Sequence, residues 1–204
     1  FWDPGVLPTV ASSTDTGSVQ LGVKFRASVD GYVTGVRFYK GAGNTGTHVG
    51  SLWSSAGVRL ASATFTNETA TGWQQVTFAQ PQAVTANTVY VVSYHAPNGG
   101  YSYDRNFFAS AGLTVGPLYL LRDGESGGNG LYGYGTSSTF PSSSYQSTNY
   151  WVAVVFEAGT PAPDTTPPTV SSRTPASGAT GVAVGSVVTA TFSEALDPAT
   201  VSTS

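Results

Sequence analysis

The 204-residue chain is 40 % hydrophobic and 12 % aromatic but only 9 % charged, with a net charge of −3, a balance that supports a packed core and excludes a disordered chain. Its two lysines and six arginines are scattered singly, which excludes a nucleic-acid binder that must displace counterions with clustered cations. Cysteine is absent, so disulfides, thiolate metal sites and cysteine nucleophiles are excluded together.

Strand signals then dominate in chain order. Val19–Arg26 alternates, with Leu21, Val23 and Phe25 on one face and Gly22, Lys24 and Arg26 on the other. Asp30-Gly31 reads as a turn, and Tyr32–Tyr39 as the return strand of a hairpin. A Gly/Asn loop follows at Gly41–Gly46. Next come Val49–Ser54, a turn at Ala56-Gly57, and Val58–Phe65, where Ala61, Ala63 and Phe65 share a face. Trp73–Phe78, Val89–His95, Pro117–Leu121 and Tyr150–Phe156 complete the readable strands. No stretch of ten or more residues carries helical periodicity with caps at its ends. Short strands broken by Gly, Pro, Asn and Asp imply an all-β sandwich or barrel. The wide spread of strands favours a jelly-roll-like antiparallel β-sandwich.

From Arg122 to Thr148 the texture is that of a long Gly/Ser/Thr loop, with one short extended piece at Leu131–Tyr134. Loops of that length in a compact domain are functional or mobile. The composition shifts again at 159–168, GTPAPDTTPP, where proline favours an extended, semi-rigid spacer. Beyond it Val187–Phe192 is a clear strand and Val182–Val184 a weaker one. The expected organisation is a β-sandwich over 1–158, a Pro/Thr linker over 159–168, and an incomplete module over 169–204. Phe1-Trp2-Asp3-Pro4 reads as the edge of a domain, so a longer precursor is expected at both ends. No apolar run approaches the roughly 20 residues of a membrane span.

Three stretches, Leu21-Gly22-Val23-Lys24-Phe25, Gly35-Val36-Arg37-Phe38-Tyr39-Lys40-Gly41 and Asn44-Thr45-Gly46-Thr47-His48-Val49-Gly50-Ser51-Leu52-Trp53, together resemble a bacterial domain family catalogued as of unknown function. The likeness runs on through Gly72-Trp73-Gln74-Gln75-Val76, Tyr94-His95-Ala96-Pro97, Gly133-Tyr134-Gly135 and Asn149-Tyr150-Trp151-Val152, covering about residues 1–157. It implies a β-sandwich accessory domain of secreted or cell-surface proteins, often beside immunoglobulin-like repeats and sometimes beside carbohydrate-active domains. It supplies no ligand and no catalytic residue. Pro167-Pro168-Thr169-Val170, Pro175-Ala176-Ser177-Gly178-Ala179 and the turn Ser193-Glu194-Ala195-Leu196-Asp197-Pro198 resemble the opening of a bacterial immunoglobulin-like repeat.

Gly124-Glu125-Ser126-Gly127-Gly128 has the letters of a nucleophile elbow, but that motif requires a strand turning into a helix, and none follows. His48 and His95 lack the spacing of a zinc pair. The acids are scattered over turns, where capping is their ordinary role. Catalysis is therefore not expected, and a glycan-active enzyme is the distant alternative. Sugar binding is the sharper reading: an aromatic ring covers a sugar's C–H face while polar neighbours orient its hydroxyls. The densest such mixture is Tyr101, Tyr103, Asp104, Arg105 and Asn106, with Tyr134 and the rings of Tyr132, Tyr145 and Tyr150 on later loops. The competing reading makes these tyrosines sheet-covering residues of a spacer with no ligand. Phe107, Phe108, Trp73 and Trp151 are assigned to the core. A structural calcium is also considered, with Asp123, Glu125 and Asn129 supplying oxygens and Asp104 and Asn106 as second choice. The expected partners are a polysaccharide or surface glycan and neighbouring domains of the same polypeptide, in a secreted or cell-surface setting.

Overall fold

The computed structural model describes residues 5–159 and 168–193, and the chain divides into two compact units near residue 161. Every regular element among the described residues is a β-strand. The first unit holds β1 (Val19–Ala27), β2 (Gly31–Lys40), β3 (Val49–Ser54), β4 (Arg59–Thr64), β5 (Gly72–Val84) and β6 (Tyr90–Ala96). It continues with β7 (Leu113–Val115), β8 (Leu118–Leu120), β9 (Leu131–Tyr134), β10 (Ser143–Ser144) and β11 (Val152–Ala158).

These strands form an antiparallel sandwich. The larger sheet runs β10-β9-β1-β6-β3-β4, and the smaller runs β11-β2-β5. One edge of β1 carries two short strands end to end, β9 opposite Val19–Gly22 and β8 opposite Phe25–Ala27, with β7 outside β8. The alternation of β1 points Val19, Leu21, Val23, Phe25 and Ala27 into the space between the sheets, all buried. Val33, Val36 and Phe38 of β2 and Val152 and Val154 of β11 meet them from the other layer. At the centre Phe38 stacks on Tyr94, ring centroids 4.2 Å apart and 14° from parallel.

Asp30-Gly31 does not close a hairpin. β1 pairs with β6, β8 and β9, whereas β2 pairs with β5 and β11, so this turn carries the chain from one layer to the other. Both strands bury an apolar row, and facing rows across the core remove more apolar surface from water than a side-by-side pair does. Gly31 permits the crossing: a Cβ there would lie 2.3 Å from the Glu157 carbonyl oxygen. The Ala86 amide donates to Asp30 Oδ1 at 2.7 Å and fixes the corner.

β5 runs beyond the expected Trp73–Phe78, through Pro81 to Val84. Val33 faces Gln82 while Gly35 faces Thr77, so residues 78–81 bulge out of the ladder. Proline has no N–H to lose in such a bulge. The short β7 and β10 have no sequence signal of their own. The long Arg122–Thr148 segment does not hang free. It supplies β9 and β10, and its Phe140 joins Trp53, Val91 and Leu131 in a second apolar cluster on the outer face of the larger sheet. Beneath that cover Ser93 Oγ accepts from Gln20 Nε2 and Trp53 Nε1, each at 2.7 Å.

In the second unit β12 (Val170–Thr174) pairs antiparallel with β13 (Thr189–Phe192). The expected strand at Val182–Val184 is absent: these residues form an exposed turn region, and Val170–Thr174 supplies the partner instead. Residues 160–167 of the linker, Phe1–Pro4 and the acidic turn from Glu194 to Pro198 lie outside the described residues.

Candidate ligand-binding cleft

Beyond β6 the chain turns through Gly99 and Gly100, both in the left-handed region (φ 63° and 66°). A Cβ at Gly99 would sit 2.1 Å from the Asp15 carbonyl oxygen, and one at Gly100 2.2 Å from that of Gly43. The two glycines thus let the next segment run against the N-terminal one. Ser13 N donates to Tyr101 O at 2.8 Å, Tyr103 N to Val10 O at 2.9 Å, and buried Ser102 Oγ to Ala11 O at 2.7 Å. With Ser102 turned inward, alternation turns Tyr101 and Tyr103 to the same outer side.

Tyr132 and Tyr134 reach this place from β9. They lie opposite Leu21 and Val19, whose side chains face the core. Paired residues share a face, so both rings extend the core's rim. Tyr145 and Tyr150 come from the segment leading into β11. Together these rings line one cleft of two joined pockets. The first, about 270 Å³, is bounded by Asp15, Tyr101, Tyr103, Arg105, Tyr145 and Tyr150. The second, about 240 Å³, adds Val19, Tyr132 and Tyr134 and shares Tyr101, Tyr145 and Tyr150. Tyr134 and Tyr145 are 61 % and 50 % exposed, enough to meet a ligand, whereas Tyr150 is buried apart from its cleft edge.

Asp15 organises the cleft, and the sequence reading misses it. Its Oδ2 accepts from the Tyr134 hydroxyl at 2.6 Å and the Tyr101 hydroxyl at 3.1 Å, and its Oδ1 from Gly17 N at 2.8 Å. Burial by itself would raise the Asp15 pKa, but the bonds from Tyr134, Gly17 and Tyr101 outweigh it and hold the carboxyl below its ordinary value. Tyr134 is pushed upward, first by its bond to Asp15 and then by burial. Asp15-Thr16-Gly17 is legible as a local turn, since an Asp side chain commonly accepts from the amide two residues on. Nothing local shows that the same carboxylate gathers tyrosines 86 and 119 residues away.

Of the six residues expected to contact ligand, Tyr101, Tyr103, Arg105 and Tyr134 are brought together here. The Arg105 guanidinium carbon lies 5.3 Å from the Tyr103 ring centroid. Asp104 lines neither of these two pockets. Its Oδ1 accepts from Thr9 N at 2.7 Å and its Oδ2 from the Trp151 indole at 2.8 Å. Asn106 holds a left-handed turn (φ 59°), and its amide donates to Gln146 O. Gln146, Ser147 and Trp151 are also left-handed (φ 50°, 47° and 54°), so uncommon backbone geometry falls at chain neighbours of the lining residues Arg105, Tyr145 and Tyr150.

Of Asp123, Glu125 and Asn129, the first and last are in contact and Glu125 is engaged elsewhere. Asn129 is fully buried: its Oδ1 accepts from Lys24 N and Gly130 N at 2.9 and 2.8 Å, and its Nδ2 donates to Leu121 O at 2.6 Å. Asp123 Oδ1 accepts from Asn129 N at 2.7 Å. Glu125 faces the Tyr119 hydroxyl, Arg26 and Arg122. Calcium takes six to eight oxygens, and the Asn129 side-chain oxygen is already engaged by two backbone amides. Among the described residues no three His, Asp or Glu side chains gather in a way that could hold a metal. Ser126 lies in a tight turn whose carbonyl accepts from Lys24 Nζ.

An antiparallel sandwich with a tyrosine cleft at its rim, followed by a separate small β module, is the class of protein these observations define. The chain belongs to the family described as a domain of unknown function (DUF4082), whose model matches residues 5–152, and residues 164–204 match a bacterial Ig-like domain. No curated protein matches it. The Ig-like module points to a surface or secreted protein. No helix among the described residues is long and apolar enough to cross a membrane.

Proposed function

We propose that the sandwich is a non-catalytic, carbohydrate-binding accessory module of a secreted or surface multidomain protein. It would hold neighbouring domains near a polysaccharide by raising their effective concentration. The observation that carries this reading is the joined cleft, where six tyrosines meet one carboxylate and one guanidinium. Rings give broad apolar contact while fixing only two χ angles each, and Asp15 and Arg105 offer an acceptor and a fork of donors to hydroxyls. Among the described residues Asp15 is the one carboxylate lining these two pockets. Glycoside hydrolysis ordinarily uses two, flanking the bond, and Asp104 nearby has both oxygens engaged by Thr9 and Trp151.

The spacer reading keeps one specific support: the Tyr101 and Tyr134 hydroxyls are satisfied inside the protein by Asp15. Retention of the full chain on a panel of cellulose, chitin, xylan and β-1,3-glucan separates the two. The binding reading expects retention on at least one, little affected by salt because a neutral sugar displaces no counterions. Tyr103→Ala and Tyr145→Ala should each weaken it about tenfold, or ~1.4 kcal/mol, without lowering the melting temperature of the Tyr145 variant. A panel on which nothing is retained gives the case to the spacer.

A further inference from the structure

The cleft continues past Arg105. A third pocket, about 360 Å³, is lined by Thr9, Val10, Tyr103, Asp104 and Arg105. It shares Tyr103 and Arg105 with the first pocket, as the first shares Tyr101, Tyr145 and Tyr150 with the second. The three compartments are therefore linked in one series through shared lining residues, with the first between the other two. The first two lie below, and the third just above, the lower end of the roughly 300–1,000 Å³ of a drug-sized site, so each suits one ring-sized group.

The rings within the series are not coplanar. Tyr101 and Tyr103 are inclined at 55° with centroids 6.2 Å apart, Tyr101 and Tyr150 at 77° and 5.6 Å, and Tyr132 and Tyr134 at 75° and 5.8 Å. Rings so inclined cannot lie together against one flat face, but they can contact successive units of a chain that turns between them. Charge narrows the choice. The first pocket, central in the series, holds Asp15 and Arg105, one negative and one positive group. A uronate chain would bring more negative charge against Asp15, whereas neutral hydroxyls can use both groups. Arg105, stacked on Tyr103 at the junction of two compartments, is placed to donate to two adjacent units with its five N–H groups.

We infer that the cleft takes a single, neutral, extended glycan chain across three consecutive subsites, rather than the flat face of a packed polysaccharide. This rests on the carbohydrate reading above and names the form of its ligand. Calorimetric titration of the full chain with cello-, xylo-, chito- and β-1,3-gluco-oligosaccharides of one to six units tests it. Affinity should rise at least tenfold from one unit to three and then level off. Thr9→Trp, which fills the third pocket, should move the plateau to two units. Tyr134→Ala, at the other end, should weaken trimers more than monosaccharides. A hexamer that binds no better than its monosaccharide overturns the inference. So does retention on crystalline cellulose or chitin with no binding of soluble chains, an outcome that leaves the carbohydrate reading standing. If neither soluble nor insoluble glycans bind, that reading fails and this inference fails with it.

Discussion

Asp104 sits where three segments meet. Besides its bonds to Thr9 N and the Trp151 indole, its backbone exchanges two hydrogen bonds with Asn149, each of 2.9 Å. Trp151, fully buried, holds a left-handed backbone that bulky residues rarely adopt, and its amide is fixed by Asn149 Oδ1 at 2.9 Å. Removing the Asp104 carboxylate leaves a buried indole N–H without its charged acceptor. Asp104→Ala should therefore cost about 1–3 kcal/mol in urea unfolding, and a loss under about 0.5 kcal/mol would contradict the role assigned here. The residue type alone marks Asp104 as polar and close to tyrosines, which made it a candidate for ligand contact. Its true partners lie 95 and 47 residues away in sequence, beyond the reach of any local pattern. The same distance hides Asp15, and it hides why Asn129, in a Gly-rich stretch, is a buried bracket rather than an exposed oxygen ligand.

Elements defined by local chemistry were legible. The β3–β4 hairpin follows from its turn, where Ser54 N donates to Val58 O and Gly57 N to Ser54 O. The layer change between β1 and β2 was not legible, because an Asp-Gly corner serves both a hairpin and a crossing. Which one forms is settled by the partners that β6 and β11 later supply. The loop between β2 and β3 shows the same dependence on distant chain. His48, fully buried there, donates from Nδ1 to Glu68 at 2.8 Å, and its Nε2 lies 2.8 Å from Asn44 Oδ1. Asn44 also reaches the Tyr94 hydroxyl, and Lys40 Nζ already balances Glu68 at 2.7 Å. A proton on the ring would add net charge where no water reaches it. Burial thus outweighs the Glu68 bond and holds the His48 pKa below its ordinary 6.5. The sign follows: below pH 6.5 the unfolded chain takes up a proton that the folded ring refuses, so stability falls as the pH drops toward the depressed value. Melting curves from about pH 8 to about pH 5 should show that decline in the native protein. His48→Gln should melt lower at neutral pH and lose much of the slope. An unchanged slope in the variant would contradict the assignment.

For the whole molecule, the arrangement of the two sheets decides where function can lie. The larger sheet is covered on its outer face by the segment carrying Phe140, and the core fills the space between the layers. The rim where β9, the N-terminal segment and the 101–106 segment meet is left as a recess lined with aromatic rings. The sandwich class could be read from strand spacing, and several of the rings from their density along the chain. The recess itself could not, since it is made by five segments that only the fold assembles. Its rival as a binding surface is the outer face of the smaller sheet, where Arg37 lies 5.0 Å from the Trp73 ring. Backbone amide shifts of the isotope-labelled full chain, followed while a glycan retained in the panel is added, test the central claim most directly. The account predicts saturable shifts gathered at Asp15, Tyr101, Tyr103, Arg105, Tyr134 and Tyr145. Shifts gathered instead around Arg37 and Trp73, with the tyrosine cleft silent, would contradict it.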